Sequence, residues 1–256
     1  MQGTITSNID VAQVALYVFW LFFAGLIFYL RREDKREGYP LEPDRSGQIR
    51  VQGFPWMPSP KTFLLPHGGS VMAPSGKVDD RQVRAEPIGG WPGAPLEPTG
   101  NPMVDGVGPA SYAARSDEPE LTIDGHPSIV PTRVASDHVV DSNDTDPKGM
   151  EVFGADRMLA GTVRDIWVDR TEPMIRYLEV EVAGAQVPRN VLLPITLASI
   201  NRRRQVYVSA ILATQFADVP GLKNPDQVTK LEEDRICAYY ASGKLYATPG
   251  RLGPVL

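Results

Sequence analysis

The sequence predicts a mixed fold: one N-terminal transmembrane α-helix and a mainly β water-facing domain that ends in an α-helix. Three observations support this prediction. Residues 11–30 form an uncharged apolar run, residues 38–109 are rich in proline and glycine, and short β-rich segments begin near Met158. The predicted divisions are an N-terminus (1–10), a membrane helix (11–31), an extended arm (32–110) and a folded domain (111–256).

Composition limits the possible functions. The chain has 256 residues and a formal net charge of −5, and this mild acidity argues against nucleic acid, which needs a basic excess. The single cysteine, Cys237, cannot form an internal disulfide, which favours a reducing compartment. Only three histidines are present, so histidine-rich metal sites and histidine-based catalysis are limited.

The apolar run between Asp10 and Arg31 is long enough to cross a bilayer. Its 20 residues include 12 Val, Leu, Ile or Phe, and a helix of this length spans about 30 Å. A cleaved signal peptide is the alternative, but it carries positive charge before a shorter apolar run. Here the first basic residue is Arg31, so the run predicts a membrane anchor.

Basic residues follow this helix and set its predicted orientation. The positive-inside rule puts the N-terminus outside the cell membrane and the chain from about residue 31 in the cytoplasm. Tyr29 suits the aromatic belt at the membrane surface. The predicted membrane-interface residues are Tyr29, Arg31, Arg32, Lys35 and Arg36.

The predicted arm is unusual because it combines turn residues with large apolar groups. Residues 38–109 contain 13 Pro and 12 Gly, a density typical of disorder. Phe54, Trp56 and Trp91 are nevertheless scattered through it, whereas a solvated linker has few such groups. We expect an extended arm that lies on a partner; a flexible linker with incidental aromatics is the alternative.

Short segments from Met158 onward predict a small antiparallel barrel or sandwich. In the clearest one, Leu178, Val180 and Val182 alternate with glutamates, the pattern of a half-buried strand. Thr229 and Glu232 fit a capping box, which predicts a helix near 229–242 that stops near Gly243. Cys237 lies inside that helix, and we expect a buried structural thiol.

Tests for catalytic motifs find none complete. The sequence lacks a phosphate-binding loop and a G-x-S-x-G element. Asp124 and His126 are two residues apart, so they are able to share a divalent cation or transfer a proton, although two surface polar residues are the default. Glu172 and Arg176 fit a surface ion pair or a charged network. Residues 202–204 are three arginines that predict a solvated hairpin tip; contact with anionic headgroups or a partner is the alternative.

Five segments carry a family resemblance along the whole chain. They are residues 36–42, 61–68, 105–111 with 119–121, 165–169 with 177–181, and 231–237. On these segments the chain resembles the H subunit of the photosynthetic reaction centre of purple bacteria. The resemblance implies a cytoplasmic PRC-type antiparallel β-barrel that caps the L and M subunits and is not an enzyme.

The resemblance also implies a set of neighbours in the intracytoplasmic (chromatophore) membrane. This chain would bind no pigment itself. Bacteriochlorophyll, bacteriopheophytin, quinones, non-haem iron and carotenoid would lie on L and M. Membrane lipids, the core light-harvesting ring and a bound cytochrome are further expected neighbours.

Proton delivery to the secondary quinone is the function that the resemblance implies. Protons reach a capped quinone through carboxylates, histidines and ordered water. Asp124 and His126 match the first two members of a family Asp-x-His-x-His cluster that binds inhibitory divalent metal, but the third position is Ser128. Glu120 matches a carboxylate of the same region, and Glu172 and Arg176 match a family pair near the quinone.

Two alternatives belong to other functional classes. A membrane-tethered PRC-barrel adaptor or assembly protein would share the barrel without any link to photochemistry, and it would not need a long ordered arm. A membrane-bound hydrolase would need a nucleophile and a base, and the three histidines lack a matching partner set.

Overall fold

The structure is a computed structural model that describes residues 4–6, 9–39, 53–76, 79–91, 93–184, 187–201 and 203–252. Residues 40–52 of the predicted arm and Arg202 of the predicted hairpin tip therefore lie outside the described residues. The chain divides into two compact units, Met1–Asp79 and Asp80–Leu256.

The first unit is built on one long helix. Strands β1 (Thr4–Thr6) and β2 (Ile9–Asp10) pair antiparallel, and α1 (Val11–Glu33) follows directly. The Asp10 side chain caps α1 by accepting a hydrogen bond from Gln13 N at 2.7 Å. None of the residues of α1 is buried, and the helix is long and apolar enough to cross a membrane.

The same unit contains a hairpin with exposed apolar side chains. Strand β3 (Lys61–Leu64) pairs antiparallel with β4 (Ser70–Ala73). Phe63, Leu64, Val71 and Met72 are all exposed. A two-stranded hairpin without a covered face is marginally stable on its own, so this one requires another surface.

The second unit contains a further hairpin and a seven-stranded sheet. Strands β5 (Ala85–Pro87) and β6 (Leu96–Pro98) form the hairpin. A short helix, α2 (Pro102–Asp105), precedes the sheet. The sheet strands are β7 (Ile129–Pro131), β8 (Glu151–Phe153), β9 (Leu159–Asp169), β10 (Met174–Val182), β11 (Asn190–Pro194), β12 (Ala198–Ile200) and β13 (Val206–Val208).

The sheet forms a curled, open half-barrel. Its order is β11-β10-β9-β8-β13-β12, and β7 pairs with β9. The pairing is antiparallel except between β13 and β8. β13 is the second strand of a hairpin with β12, and this hairpin fixes its direction when it reaches β8. The predicted mainly β domain is therefore confirmed, with one parallel pair in a mixed sheet.

A C-terminal helix, α3 (Lys230–Tyr246), packs on the sheet. The predicted capping box is present: Thr229 Oγ1 accepts from Glu232 N at 3.1 Å, and Glu232 Oε2 accepts from Thr229 N at 2.9 Å. The predicted stop at Gly243 is wrong, because α3 continues to Tyr246. A Cβ atom on Gly243 would lie 2.5 Å from Ile211 Cγ2, so this glycine permits close packing rather than helix termination.

The last residues of the predicted arm pack against α3. Met103, Val107 and Ala110 are all buried. Asn101 caps α2 by accepting from Met103 N at 3.1 Å, and Gly106 ends it in the left-handed conformation with φ 72°. This short segment positions the loop that carries the candidate site residues.

Candidate functional site

The predicted proton-uptake residues Asp124 and His126 lie on a tight, exposed turn. Gly125 N donates to Thr122 O at 2.9 Å, and Thr122 N donates to His126 O at 2.7 Å. Gly125 has φ +82°, a conformation that L side chains rarely adopt. The turn therefore keeps both side chains exposed to solvent.

This turn borders a groove of about 600 Å³ beside the β9–β10 turn. Asp124 and His126 line it together with Asp137, Arg170 and Thr171. A backbone hydrogen bond of 2.8 Å from Arg170 N to Ser128 O joins the two turns. The groove thus brings together two segments that are more than 40 residues apart in sequence.

Ser128, which follows Asp124 and His126 at the same two-residue spacing, is buried whereas those two residues are exposed. Its residue is 2% exposed, and its hydroxyl has no hydrogen-bond partner among the described residues. In the described part of the chain, no group of three or more His, Cys, Asp or Glu is arranged to hold a metal ion. Divalent binding by Asp124 and His126 alone stays a prediction.

Glu172 lies in the β9–β10 turn and Arg176 near the start of β10, and these two residues do not form an ion pair in the described structure. The turn is shaped by Asp169, whose Oδ1 accepts from Thr171 N at 2.9 Å and from Glu172 N at 3.4 Å. Both predicted residues are exposed. Glu172 directly follows the groove residue Thr171, whereas the charge of Arg176 acts on α3.

A buried carboxyl group on α3 was not anticipated from the sequence. Glu233 Oε2 accepts a hydrogen bond from Tyr177 Oη at 2.8 Å. Burial raises the pKa of Glu233, against the lowering effect of the Tyr177 hydrogen bond and the Arg176 charge. Burial also raises the pKa of Tyr177, which keeps this phenol a hydrogen-bond donor.

The position of Glu233 on the helix was the available signal. Glu233, Ile236 and Tyr240 are spaced at i, i+3 and i+7, which places them on one helix face, and all three are buried. The expectation for Cys237 was wrong, because this residue is exposed. Its sulfur lies 4.0 Å from Tyr177 Oη, at the outer edge of the same cluster.

A second unanticipated cluster lies on the sheet around Arg133. Its Nη1 donates to Glu179 Oε2 at 2.6 Å and to Asp165 Oδ2 at 3.2 Å. Its Nε donates to Asp226 Oδ1 at 3.0 Å. One guanidinium therefore joins β9 and β10 to the loop before α3.

The predicted exposure of Glu179 on strand β10 is wrong. It is 5% exposed, although the pattern placed it on the solvent face. Two donors act in addition to Arg133. Trp167 Nε1 donates to Glu179 Oε2 at 2.9 Å, and Asn190 Nδ2 donates to Glu179 Oε1 at 2.7 Å. Three donors compensate the desolvation of this carboxylate.

Asp165 is the other buried carboxylate of this cluster. Burial acts to raise its pKa, but hydrogen bonds from Thr132 and from the backbone N–H groups of Ile166 and Arg133 outweigh that effect. The positive charge of Lys148 acts in the same direction. The pKa of Asp165 is therefore lowered, and the group is a fixed anion rather than a proton carrier.

Two predicted membrane-interface residues, Lys35 and Arg36, hold the following chain against the end of α1. Lys35 is buried, and its ammonium donates to the carbonyl oxygens of Gly53 and Pro55. Arg36 Nη1 donates to Ser59 O at 2.7 Å. These two cations therefore organise the start of the arm.

The other three predicted interface residues are at least partly accessible. Tyr29 and Arg31 are exposed, and Lys61 Nζ lies 5.9 Å from the centre of the Tyr29 ring. The Arg32 guanidinium stacks on Trp56 at 5.5 Å. Both ring contacts are within cation–π range.

Comparison with known families finds two matches. The family described as photosynthetic reaction centre, H-chain N-terminal region, matches residues 3–134. The PRC-barrel domain family matches residues 140–214. The first match spans more than half of the 256 residues and includes α1, the arm and the Asp124 turn. The second covers strands β8 to β13.

Proposed function

Because this chain belongs to the family of photosynthetic reaction centre H subunits, we propose that it caps the L and M subunits and conducts protons to the secondary quinone. Within that family it is a non-catalytic accessory subunit of the reaction centre complex, anchored in the membrane by α1. The H-chain match covers the anchor and the arm, which separates this chain from a PRC-barrel adaptor unrelated to photochemistry.

We place the N-terminus in the periplasm and the arm and half-barrel in the cytoplasm of the chromatophore membrane. Arg31 and Arg32 at the end of α1 support this orientation through the positive-inside rule. Exposed Tyr29 and Arg31 are suited to lipid headgroups. The light-harvesting ring and a bound cytochrome are further proposed neighbours.

The proposed contact with L and M uses the exposed apolar side chains of the first unit. The β3–β4 hairpin presents Phe63, Leu64, Val71 and Met72 to solvent in the isolated chain. Exposed apolar patches of this kind mark protein interfaces. The pigments, quinones, carotenoid and non-haem iron belong, in this proposal, to the L and M subunits that the chain covers.

The proposed proton path begins at the groove beside Asp124 and His126. The observation that carries this proposal is the groove itself, which joins these two exposed titratable groups to the turn that bears Glu172. Imidazole and carboxylate groups are able to accept and release protons, and both of these side chains are exposed to solvent. Glu120, Glu172 and Arg176 supply further charged groups along the path.

The double variant Asp124→Asn with His126→Ala tests this function. In purified reaction centre complexes, we expect flash-induced proton uptake coupled to the second electron transfer to slow about tenfold, which corresponds to about 1.4 kcal/mol on the barrier. Glu151→Gln is the control, because Glu151 is an exposed carboxylate on β8, outside the groove. Unchanged kinetics in the double variant, with the complex intact, would contradict the uptake assignment.

A further inference from the structure

We infer that Glu233 is a further residue of this subunit that binds and releases a proton. It lies between the loop 115–120, which carries Glu120, and strand β10. The inference rests on the proposed proton-conducting function and adds a residue that the family resemblance did not assign. It is carried by a cluster of charged and titratable groups that three separate segments bring together.

The backbone fixes Glu120 beside the first turn of α3. Lys230 N donates to Glu118 O at 3.1 Å, and Pro119 and Thr229 form an isolated antiparallel bridge. Ser128 N donates to Glu120 O at 2.8 Å. The exposed Glu120 carboxylate is therefore held between the Asp124 turn and the helix that bears Glu233, and its charge acts on Glu233.

Strand β10 supplies the opposite wall. Tyr177 Oη donates to Glu233 Oε2 at 2.8 Å, and Arg176, the next residue on the strand, acts on the same carboxyl group by its charge. The titratable and charged groups that face the cluster are Arg115, Glu120, Arg176, Tyr177, Asp234 and Cys237.

The two oxygens of Glu233 differ in a way that suits proton transfer. Oε2 is held by Tyr177, whereas Oε1 accepts no hydrogen bond from the residues that the structure describes. The residue is 9% exposed and Oε1 is not fully enclosed, so water is able to reach this oxygen. Burial and the nearby Glu120 charge raise the pKa of Glu233, while Tyr177, Arg176 and Arg115 lower it.

The proposed step conserves charge and protons. A proton that arrives through water from the Glu120 side binds the Glu233 carboxylate and makes it neutral. The same group then releases one proton to water on the Arg176 side and returns to its anionic form. Tyr177 donates its hydrogen bond throughout and does not ionise, because burial raises its pKa.

Glu179 provides an internal contrast to this carboxyl group. It is similarly buried but accepts hydrogen bonds from Arg133, Trp167 and Asn190. Glu233 accepts one hydrogen bond, from the neutral Tyr177 hydroxyl, so among the described residues its second oxygen stays available to a proton or a water molecule.

Glu233→Gln in the intact reaction centre complex tests the inference. Glutamine keeps the shape and an acceptor for Tyr177 but holds no exchangeable acidic proton. Glu151→Gln is the matched control, because it makes the same substitution at an exposed carboxylate on β8 that is not part of this cluster. The measurements are proton uptake on quinone reduction as a function of pH, and the light-induced infrared bands of protonated carboxyl groups.

We expect Glu233→Gln to remove one protonated-carboxyl band and the corresponding part of the pH-dependent uptake, while Glu151→Gln retains both. Identical spectra and uptake in wild type and Glu233→Gln would overturn the inference. If the Asp124 and His126 double variant still slows uptake, the proposed function survives that failure. If that double variant also has no effect, the proposed function fails as well.

Tyr177→Phe gives an independent test should Glu233→Gln not assemble. It keeps the carboxyl group and removes a hydrogen bond that lowers the pKa of Glu233. We expect the Glu233 band to persist to higher pH than in wild type. A band whose pH dependence is unchanged in this variant would contradict the assignment to Glu233.

Discussion

The β3–β4 hairpin and the half-barrel use similar apolar residues in opposite ways. Leu64 in the hairpin is 84% exposed, whereas Leu178 in β10 is 0% exposed. The half-barrel buries its apolar face against its own strands and α3. The described residues of the first unit do not cover the hairpin in this way, and this difference indicates that the half-barrel is self-sufficient while the hairpin depends on a partner.

Truncation of a core side chain that packs with the half-barrel is expected to have the largest effect on the free energy of unfolding. Phe216 is fully buried and packs edge-on against Tyr240 at 5.9 Å. We expect Phe216→Ala to lower the free energy of unfolding by about 3–5 kcal/mol, measured by urea titration of the full chain in detergent.

Leu64→Ala in the hairpin is the control for this truncation. Surface substitutions usually change stability by less than about 0.5 kcal/mol, and we expect that result in the isolated chain. The same variant should weaken association with the rest of the reaction centre complex. Equal destabilisation by the two substitutions would remove the distinction between the regions.

Breaking the Arg133 cluster has the next largest expected effect. Arg133→Met leaves Asp165 and Glu179 buried without their shared cation, and breaking a buried ion pair costs about 3–5 kcal/mol. The Arg133 side chain is 38% exposed, so we expect a smaller loss of about 2–3 kcal/mol. Arg164→Met, which removes an exposed pair with Glu181 at 3.1 Å, should change unfolding in urea far less.

Gly243→Ala tests close packing between α3 and the sheet. The added Cβ would lie 2.6 Å from Ala210 O and 2.5 Å from Ile211 Cγ2. Alanine favours helix formation, but we expect the clash to dominate and to lower stability by about 1–2 kcal/mol. Gly250→Ala, where nothing lies within 4 Å of the added atom, is the control. A stabilised Gly243→Ala protein would show that helix propensity outweighs packing here.

The pH dependence of Glu233 gives the smallest expected effect on stability. Its pKa is higher in the folded chain than the ordinary value of 4.5, so it contributes stability below the unfolded pKa and loses it as pH rises through the folded pKa. Glu233→Gln should therefore gain stability relative to wild type with rising pH. Urea titrations of both proteins across that pH range test the predicted direction. A difference in free energy of unfolding that does not shift in favour of Glu233→Gln as pH rises would contradict the prediction.

Local sequence patterns were sufficient to predict the main elements. The uncharged run predicted α1, the Thr229 capping box predicted the start of α3, and the β-rich segments predicted strands β9, β10, β11 and β13. Each of these signals is contained within one short segment. The fold class could therefore be predicted without knowledge of any tertiary contact.

The burial of particular charged residues could not be predicted from such local patterns. Glu179 looked solvent-facing because its donors, Arg133, Trp167 and Asn190, come from separate segments. Gly243 looked like a helix stop because its close neighbour, Ala210, lies more than 30 residues earlier. Glu233 gave a weak helical-face signal, but the loop that carries Glu120 could be placed beside it only by the tertiary structure.

Amide hydrogen exchange over residues 61–73, compared between the free chain in detergent and the assembled reaction centre complex, tests the central claim most directly. We predict fast exchange of the β3–β4 amides in the free chain and strong protection in the complex, with β9 and β10 protected in both. Equal, strong protection of the hairpin in the free chain would contradict the claim that it depends on a partner.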